Sequence, residues 1–279
     1  MQSSNLDLIS DPKDFNGVAS IIAELDKVAR DSVRKFSTSG LVISYSGGVD
    51  SSILAELAYQ TGSATSSTLL SVGSLGSRDI RELSVETDLT KRFPHVIKEV
   101  ERDRIQRAAF KVQGIVQVPS LSHFEDCVAF YLIAEETSKL GKADLIASAN
   151  GPDELFCGYD RFRRILHSEG YESVIREIAN ALEIAKQLQR QVKIVLGEFG
   201  LKPAEPFLSA GFARFALQVP VRLKIFKGND RLRKRIWRDY GRTLGLPENV
   251  VMKEKKAMQY SMGIHGVVLS MVRKNKIRL

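Results

Sequence analysis

The sequence predicts an α/β protein: a doubly wound parallel sheet with a helical C-terminal cap. Three observations carry that expectation. Short apolar runs alternate with helical periodicities over Leu41–Tyr159, the pattern of repeated βα units. Two of the runs, Leu41–Tyr45 and Ala143–Ala149, end in turn and helix-start signals, Ser-Gly-Gly and Asn-Gly-Pro-Asp. Beyond Arg163 the pattern turns mainly helical. Ligands of open parallel sheets bind outside the carboxyl ends of the strands, so the two loops after those runs are expected to share one crevice.

Val18–Phe36 sets Ile21, Ile22, Leu25, Val28, Ala29 and Val33 at helical spacing among charges, an amphipathic helix. Leu41–Tyr45 is the first strand, Ser51–Thr61 a helix, Ser67–Gly73 the second strand, and Arg78–Phe93 a charged helix. His95–Val100 alternates as a third strand, Ser122–Leu140 is helical, and Ala143–Ala149 is a compact apolar strand. Glu169–Leu196 is a long amphipathic stretch and Asn229–Leu244 a very basic one, with breaks at Pro203, Pro206, Pro220 and Pro247 and a linker candidate at Gly197–Pro206. The expected division is a lead-in and helix over 1–36, an α/β core over 37–165 that would bind the ligand, and a basic helical part over 166–279 that closes the site.

Composition narrows the class. The 279 residues are 43% hydrophobic and 27% charged, enough apolar material for one large domain or two small ones. No run of about 18 apolar residues occurs, and the N-terminus lacks a basic stretch followed by an apolar one. Neither a membrane span nor a secretory signal is indicated, and a cytoplasmic location is expected. Two cysteines without a CxxC, Cys127 and Cys157, exclude a disulfide framework or a cysteine-rich zinc site and direct any metal to oxygen ligands. The net charge of +8 is uneven: Arg222–Leu279 holds sixteen Lys and Arg against four Asp and Glu. Such a segment suits either a polyanionic partner or a solvated helix face.

Ser46-Gly47-Gly48-Val49-Asp50-Ser51-Ser52 follows a strand and opens a helix. Its backbone amides can form an anion nest at the positive helix end, and the glycines allow close approach to phosphate. Asp50 inside an anion-binding loop makes sense when it holds a divalent cation against phosphates. No GxxxxGK[ST] pattern is present, which argues against a Walker-type NTPase. The second loop, Ser148–Phe162, places Asp153 and Glu154 at a helix start facing the first across the crevice.

The first loop resembles the SGGxDS signature of the ATP pyrophosphatases, or PP-loop enzymes, which cleave ATP between the α- and β-phosphates and pass adenylate to an acceptor. Ser148–Phe162 resembles the SGxGxDExFxGY motif of asparagine synthetases. Pro206-Phe207-Leu208, Lys227 followed by Leu232-Arg233, and Val251–Ala257 are similar to further elements of that family in the same order. The chain therefore resembles an asparagine synthetase C-terminal domain without the glutaminase domain, and the resemblance implies an adenine nucleotide alpha hydrolase-like fold using ATP and Mg2+. It places Tyr45, Ser46, Gly47, Gly48, Asp50, Ser51, Ser52, Val72, Ser148, Ala149 and Gly151 around the nucleotide and Asp50 and Asp153 on magnesium. It assigns transition-state and pyrophosphate charge to Lys255, with Lys256 as the alternative, and further catalytic roles to Lys227 and Asn150.

Three departures qualify it. Position 2 is Gln2, where a glutamine-dependent enzyme has its nucleophilic cysteine, so ammonia is expected free or from a separate amidotransferase. The motif's acid is Asn150. The family's GLExRxPFLD becomes Gly200–Ser209, without its Glu, Arg and final Asp. The nucleotide chemistry is kept and the acceptor side rebuilt, with Glu125, Asp126, Arg161, Arg163 and Arg164 as candidates for the acceptor. The leading expectation is an AMP-forming carbon-nitrogen ligase that adenylates a carboxylate, aspartate by default, and forms an amide with ammonia. A tRNA-modifying enzyme, with Arg231, Arg233, Lys234, Arg235, Arg238 and Arg242 tracking RNA and Trp237 and Tyr240 stacking bases, stands second. A nucleotide-binding subunit that needs a partner stands third.

Overall fold

Five strands, β1 (Leu41–Ser44), β2 (Thr68–Ser74), β3 (His95–Val100), β4 (Leu145–Ala147) and β5 (Lys202–Ala204), form one sheet ordered β3-β2-β1-β4-β5 with every neighbouring pair parallel. The computed structural model describes residues 17–36, 40–63, 67–141, 143–226 and 229–277. Around the sheet run α1 (Val18–Arg34), α2 (Val49–Gln60), α3 (Arg78–Leu83), α4 (Arg102–Ile115), α5 (Leu121–Lys139), α6 (Pro152–Leu155), α7 (Asp160–Glu169) and α8 (Tyr171–Gly197). The remaining helices are α9 (Ala210–Gln218), α10 (Val221–Lys224), α11 (Arg235–Thr243), α12 (Glu248–Val251), α13 (Met258–Ser261) and α14 (Ile264–Arg273).

Alternation along the strands builds two cores. Leu41 and Ile43 of β1, Leu69 of β2 and Ala147 of β4 face one core with α1, α2, α9 and α11. Val42, Leu70 and Ile146 face the other with α4, α5, α8 and α14. That two-sided burial is why these strands read as continuous apolar runs. α1 lays its Ile21, Leu25, Ala29 and Val33 stripe on the first core, at the spacing the sequence shows. The chain winds from β1 out to β3, then returns to β4 on the other side of β1. The order therefore reverses between β1 and β4, which opens a crevice at their carboxyl ends.

Three elements differ from the sequence reading. The helix expected over Arg78–Phe93 ends at Leu83 and is followed by a 3-10 turn at Thr90–Arg92. Thr87 and Thr90 cap each other's amides there, at 2.8 and 3.2 Å, and this local bonding competes with the helix. The linker candidate Gly197–Pro206 contains an edge strand, β5: Lys202 N donates to Asp144 O and Ser148 N to Ala204 O, both at 3.0 Å. Pro203 is tolerated because only one side of β5 is paired. Finally, α4 has no counterpart in the sequence reading, although Ile105, Ala108, Ala109 and Val112 bury one face at helical spacing. Among the described residues no helix is long and apolar enough to cross a membrane.

Candidate active site

The loop after β1 enters α2 through Gly47 and Gly48. Gly47 has φ 66°, and a Cβ there would stand 3.0 Å from Leu83 Cδ2, so turn and packing both call for glycine. Ser51 Oγ donates to Gly48 O at 3.1 Å and lies 3.0 Å from Ser46 Oγ, which closes the loop on itself. Gly48, Val49, Asp50 and Ser51 line a cleft. The first amides of α2, which no helical carbonyl can take, are thereby offered to an anion.

The loop after β4 presents Asp153 from the first turn of α6. Gly151, at φ 115°, lies so close to the Phe207 carbonyl that a Cβ would meet it at 2.5 Å. At Gly158 a Cβ would stand 2.0 Å from Asp153 Oδ1, so this glycine leaves the carboxylate its room. Asp50 and Asp153 are joined by Lys234, whose Nζ lies 2.6 Å from Asp50 Oδ2 and 2.9 Å from Asp153 Oδ1. Trp237 Nε1 donates to Asp50 Oδ1 at 2.9 Å, and Lys255 pairs with Asp153 Oδ2.

Arg233 and Lys234 both sit in the left-handed region at φ 51°, rare for side-chain-bearing residues. Arg233 Nε, bonded to Gly158 O at 2.9 Å, and the buried Arg238 hold them there. The Arg238 guanidinium donates to Leu232 O, Arg233 O and Lys253 O at 2.8–3.1 Å and also to Val251 O. One side chain thus fixes both the segment that carries Lys234 and the one that carries Lys255.

The electrostatics follow from burial against pairing. Burial opposes the charge of Asp153, but Lys234 and Lys255 outweigh it and hold the carboxyl well below the ordinary range. Burial likewise works against Lys255, and Asp153 with Asp50 outweighs it and raises the ammonium. Glu154 is raised by burial and by Asp153, and it accepts from the Tyr159 hydroxyl. Asp126 is pushed up to about 7 by burial, which the nearby Lys255 only partly offsets and Glu125 and Glu154 reinforce.

Tyr45, Ser46, Gly48, Asp50, Ser51, Val72, Ser148, Ala149, Asn150, Asp153 and Lys255 line this one cleft. Gly47, Ser52 and Gly151 are not on its wall: Ser52 is buried 3.4 Å from the Tyr45 hydroxyl, and the two glycines shape the turns behind. Lys227 lies outside the described residues. Lys256 also borders the cleft but pairs with Asp79, whereas Lys255 pairs with Asp153. The acceptor candidates are not on this wall: Glu125 pairs with His265 at 2.8 Å, Arg161 with Glu177 at 2.6 Å, and Arg163 and Arg164 with Asp160. Arg163 borders an adjoining charged cavity together with Arg231, Arg233 and Lys255.

Half of the residues expected to track and stack RNA turn inward instead. Lys234, Trp237, Arg238 and Tyr240 are buried, and Trp237 stacks on Phe156 with centroids 5.2 Å apart. Arg235 pairs with Asp230, and Arg242 with Asp239 and Glu248. Sequence reasoning missed the inward place of Lys234 and Arg238 and the burial of Glu205 beside Asn150. The available signal for the two basic residues was a lysine followed by a bulky apolar residue and an arginine at Lys234, Trp237 and Arg238, the same order as Lys227, Leu232 and Arg233.

Among the described residues no group of three or more His, Cys, Asp and Glu gathers as a metal cage. Asp50 and Asp153 nevertheless reach one shared cation, Lys234 Nζ, and two carboxylates are a donor set that suits Mg2+ bound jointly with phosphate oxygens and water.

Comparison with known proteins adds the following. The family profile described as asparagine synthase matches residues 24–199. A Methanocaldococcus jannaschii chain that bears an inferred name, glutamine-hydrolysing asparagine synthetase 1, is 24% identical over 290 aligned positions; the match covers 90% of this chain and 51% of that one, so the chain spans about half the length of this relative. Among solved structures, an NH3-dependent NAD synthetase from Campylobacter jejuni aligns at TM-score 0.42 and 15% identity, covering 93% of this chain and 85% of that one. A U34-tRNA thiolase from Methanococcus maripaludis aligns at TM-score 0.42 and 15% identity, covering 94% and 82%.

Proposed function

Because this chain belongs to the asparagine synthase family, we propose that it is an ATP-dependent carbon-nitrogen ligase that adenylates a carboxylate and converts the acyl-adenylate to an amide with ammonia. The observation that carries this reading is the meeting of Asp50, Asp153, Lys234 and Lys255 in one cleft at the switch point of the sheet. ATP would lie with its phosphates on the amides and hydroxyls of the Ser46–Ser51 loop. The acceptor carboxylate attacks the α-phosphorus, the α–β bridge breaks, and pyrophosphate leaves with the electron pair. Lys255 and Lys234 stabilise the charge that develops on the α-phosphate and the leaving group, an electrostatic role set up before the reaction.

Asp50 and Asp153 would hold Mg2+, which when bound neutralises phosphate charge. Ammonia then attacks the acyl carbon, AMP departs, and a proton is lost to water. Aspartate is the default acceptor. The nitrogen source is ammonium or a separate amidotransferase.

The test is AMP and pyrophosphate release from Mg-ATP by the full chain, with ammonium or glutamine, across aspartate, glutamate, other small carboxylates and bulk tRNA, with Asp50→Ala as the blank. Release that needs a carboxylate and ammonium supports the reading. Release only with tRNA, or none with any acceptor, contradicts it.

A further inference from the structure

Glu205 is the buried carboxylate beside the cleft that the reading above does not use. It follows β5 and is only 4% exposed. Oε1 accepts from Asn150 Nδ2 at 2.8 Å and from Ser148 Oγ at 3.3 Å, and both donors come from the loop that carries Asp153. Oε2 is buried as well, and the Gln189 side chain is the further hydrogen-bonding neighbour of this carboxylate.

Its geometry sets the orientation of Asn150. Oε1 is an acceptor whether or not Oε2 carries a proton, so the Asn150 amide must turn its NH2 toward Glu205. The Asn150 oxygen is then the end left over. It makes no hydrogen bond among the described residues, on a side chain that lines the cleft. A fixed, neutral acceptor at that point can hold an N–H of ammonia and leaves the nitrogen lone pair free.

We infer that Glu205 is a positioning residue that acts through Asn150: it turns the amide so that its oxygen holds the attacking ammonia. This rests on the ligase reading above and concerns only its second half. In that step the nitrogen lone pair forms the C–N bond, the bond from acyl carbon to phosphate oxygen breaks, AMP leaves with that electron pair, and one N–H proton passes to water. Asn150 orients the nucleophile and carries no proton.

The experiment compares the full chain with Glu205→Leu, Asn150→Leu, the two combined, and Glu205→Gln. Carboxylate-dependent ATP–pyrophosphate exchange reads the first half and ammonium-dependent amide formation the second. Each single leucine variant should raise KM for ammonium about tenfold or more beyond any change in exchange, the loss of one oriented hydrogen bond. The combined variant should be no worse than Asn150→Leu alone, because Glu205 acts through that residue. Glu205→Gln should recover most of the loss, since its amide oxygen can accept from Asn150.

Equal losses in both halves, additive losses, or an unchanged ammonium KM would overturn the inference while leaving the ligase reading intact. No exchange with any carboxylate in the unaltered chain would overturn that reading, and the inference with it.

Discussion

Asp50 and Asp153, carried by the loops on either side of the switch point, share one ammonium: Lys234 Nζ lies 2.6 Å from the first and 2.9 Å from the second. The lysine side chain is 1% exposed and the carboxylates 19% and 14%, so its removal leaves two charges short of a partner in a site with little water. Lys234→Met should cost about 3–5 kcal/mol of stability, the usual result of breaking a buried ion pair, and should abolish ATP cleavage. Denaturant unfolding and AMP release check the two effects separately.

Gly158→Ala tests the room left for Asp153. The added methyl would meet Oδ1 at 2.0 Å, with the Asp153 Cα at 2.8 Å, so the carboxylate cannot move aside within its own loop. AMP formation should fall at least about a hundredfold, the scale of a misplaced catalytic group. An equal fall in Gly197→Ala, where a Cβ meets nothing within 4 Å, would contradict the account.

Arg238→Lys probes the brace. A lysine keeps the charge but not the planar fork that reaches carbonyls from Leu232 to Lys253. Loss of about 2–4 kcal/mol is expected as several charge-assisted bonds go unmade, along with weaker ATP cleavage, because the segments of Lys234 and Lys255 lose their common tie. Thermal melting and steady-state AMP release read these out.

The neighbouring lysines separate by partner. Lys255→Ala removes the cation on Asp153 and should lower the rate of pyrophosphate formation by about a hundredfold or more. Lys256→Ala removes a half-exposed pair with Asp79 and should cost less than about tenfold.

The pH dependence carries a defined sign at Asp126. Its folded pKa, about 7, lies above the unfolded value of about 4. Between those values the folded chain binds the extra proton, so this group's contribution to stability falls as pH rises from about 4 to about 7 and is flat above. Asp126→Asn should remove that slope and make the variant the more stable form at pH 8. Melting temperatures of both forms between pH 4 and 8 measure it.

What the sequence made legible depended on how local the cause was. The loops of Asp50 and Asp153 could be read because strand, glycine turn and helix start are short-range signals, and the resulting strands fall where the apolar runs lie. β5 was hidden by its three residues and its proline, which look like a linker until β4 supplies the pairing. Lys234 and Arg238 were hidden in a basic run whose inward turn comes from Trp237 and Tyr240 packing against Phe156, Phe207 and α1, contacts far apart in the chain. Glu205 stood in the same misread segment, and only the fold sets it against Asn150.

The most direct measurement of the central claim follows oxygen. The full chain is given Mg-ATP, ammonium and a carboxylate acceptor labelled with 18O in both oxygens, aspartate first, and the AMP is examined by mass spectrometry. If an acyl-adenylate forms, one labelled oxygen appears in the AMP phosphate and the other stays in the amide. Unlabelled AMP, or ADP and phosphate as products, would contradict adenylation of the carboxylate.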